Sequence, residues 1–131
     1  MNARNKAARI LVAIGSIVLF ASAALHSIAA YPKLSTALAA SNLDAHLAAA
    51  LRAIFLLAGW DWIVIGIIVL AAAFTPTKLR KILVLSCGFA VLVQTVLTLA
   101  FIGPFLGNEM IGSAAIFIIC GGLLFGPEDQ H

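Results

Sequence analysis

Hydrophobic positions in this chain gather into four long runs, over residues 10–30, 53–74, 82–102 and 110–125, each bounded by charged residues or proline. Three of them reach the roughly 20 residues with which a helix rising about 1.5 Å per residue crosses a hydrocarbon core. The fourth lies near the lower limit of about 17. The pattern predicts an all-α membrane protein with transmembrane helices over 9–30, 46–75, 78–103 and 109–126, in a single domain over 1–131. Short connections between the runs predict an up-down-up-down antiparallel bundle.

Polar and special residues punctuate the runs. Tyr31-Pro32 predicts the end of the first helix, because proline disfavours the helical conformation in the residue before it. The Ala- and Leu-rich stretch 34–40 predicts a turn or two of helix lying at the membrane surface. Ser41 or Asn42 reads as the N-cap of the second helix, with Asp44 in its first turn, where the helix dipole favours negative charge. A helix from Leu43 to Thr75 measures about 50 Å, so it must tilt or project beyond the hydrocarbon core. Thr75-Pro76-Thr77 closes it and caps the next helix. Gly103-Pro104 ends the third helix just before Asn108, and Gly126-Pro127 stops the fourth.

Composition narrows the class further. Hydrophobic residues make up 63% of the chain and charged residues 10%, against about 25% charged in a soluble domain. There is no room for a separate soluble domain, a nucleotide-binding unit or a nucleic-acid platform, so membrane lipids are the expected surroundings and no nucleic acid is expected as partner. The net charge of +3 matters through its placement. Arg4, Lys6 and Arg9 precede the first span, and Lys78, Arg80 and Lys81 precede the third; only Lys33 and Arg52 fall on the other side. The positive-inside rule then predicts both termini in the cytoplasm, in a bacterial-type inner (plasma) membrane. Glu128 and Asp129 do not oppose this, because acidic residues contribute little to orientation. The basic start followed by Ala21-Ser22-Ala23 or Ile28-Ala29-Ala30 also resembles a secretory signal with its cleavage site, but the first apolar run exceeds the roughly 7–15 residues of a signal core and reads as a retained span.

The candidate chemistry lies in residues that do not belong in lipid. Asp61 is the sharpest: it lies about 12 Å below Ala53. Insertion costs about 3 kcal/mol for the acid, while the surrounding dozen or so Leu, Ile, Val and Phe each return roughly 0.3–0.6 kcal/mol. The helix therefore inserts, but the carboxyl must be protonated, paired or hydrated, and is expected to face inward. Gln94 lies at the same depth; His26 lies level with Thr98 and near Ser113; Glu109 sits at the outer mouth of the fourth span. Ser22 and His26 share a helix face, as do Cys87, Gln94 and Thr98, and Glu109, Ser113 and Cys120. Turned inward, these stripes form a polar cavity in the outer half of the bundle. Its candidate catalytic groups are His26, Asp61 and Glu109, and its candidate ligand contacts add Ser22, Arg52, Trp62, Gln94, Thr98 and Ser113. The plain alternatives are an Asp61 that only hydrogen-bonds between helices and a His26 that is a satisfied core group. Within the spans no HxxxH or ExxH spacing suggests a metal, nothing identifies a cofactor, and Cys87 and Cys120 read as small apolar core residues.

The second span carries a conflict. Arg52, Gly59, Gly66 and Ala73 recur every seven residues and form a small seam that allows close helix approach. Asp61 is nine residues from Arg52, on the opposite face. With Asp61 inward, the seam meets another helix or another protomer, which predicts a homodimer through Gly59 and Gly66. Trp60 and Trp62 point in different directions, so at most one lines a cavity.

Three functions fit these residues. The favoured one is binding or translocation of a small lipophilic or cationic molecule, with Asp61 as the protonatable group. The second is a membrane-embedded, isomerase-like acid–base enzyme acting on a lipid-like substrate through His26 and a carboxylate. The third is a non-catalytic structural or assembly subunit. A nucleophilic enzyme is disfavoured, since no Ser/His/Asp or Cys/His spacing stands out.

Overall fold

The computed structural model describes residues 2–76 and 78–126. The expected cap at Thr77, the stop at Pro127 and the acidic tail lie outside the described residues. All regular structure among the described residues is helical: α1 (Ala3–Leu25), a π-helical turn (His26–Ala30), α2 (Tyr31–Ala39), α3 (Ala45–Phe74), α4 (Arg80–Ile102) and α5 (Leu106–Leu124). Four helical stretches, Ala3–Ala39, Ala45–Phe74, Arg80–Ile102 and Leu106–Leu124, are long and apolar enough to cross a membrane. Large side chains such as Ile17, Ile28 and Phe101 stand exposed on the outside, where lipid rather than water suits them.

Local chemistry sets the helix ends, and in places departs from the expected boundaries. Asn2 caps α1 by accepting from the Arg4 amide at 3.1 Å. Asp44 itself, not Ser41 or Asn42, is the N-cap of α3: its Oδ1 accepts from the His46 and Leu47 amides at 2.9 and 3.0 Å. Ser41 instead closes α2, its hydroxyl donating to the Leu38 carbonyl at 2.7 Å. Gly103, with φ 93°, ends α4 in the left-handed region that favours glycine. Asn108 Nδ2 then ties the connection by donating to the Gly103 carbonyl at 3.1 Å. α5 starts at Leu106, ahead of the expected 109, which puts Glu109 in its first turn.

Pro32 does not end the first helix. It occupies the first turn of α2, where its missing N–H and fixed φ are tolerated. The π turn absorbs the mismatch: the Tyr31 amide donates to the His26 carbonyl, five residues back, and the helical path continues to Ala39.

α1 makes the most extensive packing, against α5 and then α3, while α5 also packs on α4; α3 and α4 meet over less surface. Val12, Leu19, Val69, Val84, Val91 and Ile118 are fully buried at the centre. Glycines bring α1 and α5 close. A Cβ on Gly121 would lie 2.7 Å from Val12 Cγ2 and 2.9 Å from the Ala8 carbonyl oxygen, and one on Gly15 would lie 2.7 Å from Ile118 Cγ1. Arginines lock the helix ends. Arg4 Nη2 donates to the Leu123 carbonyl at 3.3 Å, and the Arg9 guanidinium lies 5.7 Å from the Phe74 ring centre. Arg80 is 4% exposed; it donates to the Ala72 and Thr75 carbonyls at 3.1 and 2.8 Å and lies over Phe125. Cations at the C-terminal carbonyls also meet the negative end of the helix dipole.

The orientation of α3 is the reverse of the one expected. Gly59, Trp62, Gly66, Val69 and Ala73 are its buried face, and Asp61 is exposed. The seam meets α1 within the same chain. A Cβ on Gly66 would lie 2.5 Å from Phe20 Cε1, and one on Gly59 3.4 Å from both His26 Cδ2 and Ser27 Oγ. The rings of Phe20 and His26 fill the room that the glycines leave, so the Gly59/Gly66 face is covered without a second protomer. Cys87 is half-buried, Cys120 is exposed, and both are free thiols.

Close approach at Gly121 makes a clear prediction. Gly121→Leu drives a side chain into the α1 backbone and lowers unfolding stability by about 1–3 kcal/mol. Gly126→Ala, whose Cβ meets only Asn5 Oδ1 at 3.9 Å, leaves stability unchanged. Titration of the purified protein from mild detergent into a denaturing one, followed by circular dichroism, checks both.

Candidate functional site

The π turn begins at His26, and its side chain organises the site. His26 Nε2 lies 2.7 Å from the Phe55 carbonyl oxygen. A carbonyl only accepts, so Nε2 carries the proton and donates, which leaves Nδ1 as the acceptor of the neutral ring. The imidazole stacks on Phe55 with centroids 3.7 Å apart and meets the edge of Trp62 at 4.9 Å. Trp62 Nε1 donates to Gln94 Oε1 at 3.0 Å, and Thr98 Oγ1 donates to the Gln94 carbonyl at 2.7 Å. A polar relay of contacts thus runs from the π turn through α3 to α4. π turns inside helices are frequent at functional sites.

Beside this relay lies a cavity of about 350 Å³, walled by the end of α1, the π turn, Trp62 and the start of α5. That volume is at the lower end of the roughly 300–1,000 Å³ of small-molecule sites. Leu25, Ala29, Phe105, Leu106 and Met110 make its walls mostly apolar, and Ser22, His26, Lys33 and Trp62 supply its polar groups. Two of those groups are already engaged: the Ser22 hydroxyl donates to the Val18 carbonyl at 2.8 Å, and the Trp62 indole is bound to Gln94. Among the described residues, His26 Nδ1 and the Lys33 ammonium are left to meet a ligand.

The expected site residues do not all meet. Ser22, His26 and Trp62 line the cavity. Gln94 stands behind Trp62 and holds it, while Thr98 bonds the backbone carbonyl of Gln94 in its own helix. Ser113 turns back to its own helix, donating to the Met110 carbonyl at 2.8 Å. Arg52 is half-buried with its Nε shielded and unbonded, away from the cavity wall. Asp61 and Glu109 are exposed and do not reach the wall. Asp61 and Glu109 therefore do not converge on a shared chamber, and among the described residues no carboxylate pairs with His26. Among the described residues, no three His, Cys, Asp or Glu side chains come together as a metal group would require.

Lys33, Phe105 and Met110 enter the site unannounced. Lys33 reads from the sequence only as a charge for orientation. Phe105 and Met110 carry no signal at all, because an apolar residue that walls a cavity is of the same type as one that packs a core.

No protein-family model matches the chain, and no curated protein or solved structure is significantly similar to it.

The Trp62–Gln94 bond predicts coupling between α3 and α4. In a double-mutant cycle of Trp62→Phe and Gln94→Leu, the coupling energy is about 0.6–1.7 kcal/mol, the size of hydrogen bonds between membrane helices. Detergent unfolding of the two single variants and the double variant measures it.

Proposed function

We propose that this chain is an up-down-up-down membrane bundle with both termini on the cytoplasmic side of a plasma membrane, and that it binds a small lipophilic molecule between α1, α3 and α5. The topology is supported by the six basic residues before the first and third spans, and by the Arg4–Leu123 contact that joins the start of α1 to the end of α5. One observation carries the binding reading: an apolar cavity of about 350 Å³ whose unengaged polar groups are His26 Nδ1 and Lys33.

That pair selects the ligand's head. A cationic rim repels a cationic ligand, so of the two classes expected from the sequence the lipophilic one remains. Nδ1 accepts and the Lys33 ammonium donates, so the head both donates and accepts, a long-chain carboxylic acid being the simplest example: its hydroxyl meets Nδ1, its carbonyl oxygen meets Lys33, and its tail lies along Leu25, Leu106 and Met110. His26 takes over the polar role first given to Asp61. The enzyme reading has less support, because among the described residues no carboxylate stands beside the imidazole to complete an acid–base pair. A purely structural subunit would fill this volume with side chains.

The chain has two tryptophans, so Trp60→Phe leaves Trp62 as the sole indole, on the cavity wall. In lipid nanodiscs, a fatty acid brominated along its chain is expected to quench Trp62 fluorescence saturably. Lys33→Gln weakens that binding roughly two- to five-fold, as expected when an exposed charged donor becomes a neutral one. Quenching that rises linearly, as it does for any indole in bulk lipid, overturns the binding reading.

A further inference from the structure

α3 presents a second feature, on the side away from the cavity. Asp61 is exposed there, and Trp60 beside it is 62% exposed. Ile54, Leu57 and Val64 surround them with apolar surface. Among the described residues, neither the Asp61 carboxylate nor the Trp60 indole N–H has a hydrogen-bond partner. Asp61 lies about 20 Å along the helix from Phe74 and about 12 Å from Ala53, well inside a core about 30 Å thick. Long Lys and Arg side chains snorkel to the interface from such depths, but a carboxylate on one methylene has no such reach.

The chain offers this acid no cation. Its lysines and arginines flank the spans, and the nearest along α3, Arg52, is nine residues away on the opposite face. A second copy inserted in the same sense would bring another Asp61 to the same depth, acid against acid. What the face lacks is a positive charge at mid-membrane. Trp60 suits the same charge, because an indole face attracts a cation electrostatically, most strongly where water is excluded.

We infer that this face of α3 docks a transmembrane helix of another protein, one that carries Lys or Arg at mid-depth, with the cation held between the Asp61 carboxylate and the Trp60 ring. The pairing is charge-complementary, needs no rearrangement of the bundle, and leaves the cavity on the other side of α3 free.

A synthetic helix tests this directly. The full chain, with a fluorophore at its C-terminus, is reconstituted in phosphatidylcholine vesicles with acceptor-labelled polyleucine peptides carrying either Lys or norleucine at their centre. Energy transfer is expected to show the Lys peptide binding roughly tenfold tighter, the size of polar contacts between membrane helices in model peptides. Asp61→Leu abolishes the difference, Asp61→Glu retains it, and Trp60→Leu reduces it. Asp61→Asn gives the same reading if the leucine variant fails to fold. Equal binding of the two peptides overturns the inference, as does a difference that survives both neutral substitutions. Asp61-dependent energy transfer between two labelled copies without peptide also overturns it, and assigns the face to self-association.

Discussion

The fit of the Phe20 and His26 rings over Gly66 and Gly59 sets the rotation of α3, and much else follows from that one contact. A helix that buries glycine on one side must turn the opposite side out, so Trp62 points into the bundle while Asp61 points away from it. Between membrane helices there is no hydrophobic drive to associate, since lipid tails are as apolar as leucine. Surfaces that allow closest approach therefore outweigh those that merely hide one polar group. The acid costs a few kcal/mol in lipid, but facing it inward would give up the packing of two aromatic rings along the seam.

The π turn and the cavity are linked through the same residue. Pro32 removes a donor, the preceding turn widens to a five-residue step, and His26 stands at its start with its ring on Phe55. The helix thus bends its hydrogen-bond pattern at the level where a side chain is needed, and α5 begins opposite it through the left-handed turn at Gly103. Backbone irregularity inside a bilayer is tolerated only when neighbouring groups re-satisfy it or a cavity adjoins it. Here the Tyr31 amide and the cavity meet both conditions.

Four membrane-length helices were legible from hydrophobic runs alone, because bilayer thickness imposes a length that few other structures share. Boundaries were less so: Asp44 lies within reach of two amides, and which of Ser41, Asn42 and Asp44 caps α3 depends on where α2 ends. The site was half legible. Ser22, His26 and Trp62 line the cavity and Gln94 meets Trp62, because polar groups at matched depth tend to meet; Thr98 turns back to its own helix. Asp61 and Glu109 were placed with them by the same logic and stand outside, because depth fixes height along a helix but not rotation about it. Only the glycine seam carried the rotational information, and it has two equivalent uses, within a chain or between chains.

Arg80 shows how a single charge answers to two different clocks. In the proposed topology it is one of three cations that hold the segment before α4 on one side while the chain inserts. Once the helices have packed, the same guanidinium lies sealed under Phe125 and bridges two carbonyls at the end of α3. Lysine preserves the first role and not the second, since a point charge cannot fork between two acceptors as a planar guanidinium does. Sidedness and tightness of assembly are therefore separable at this position.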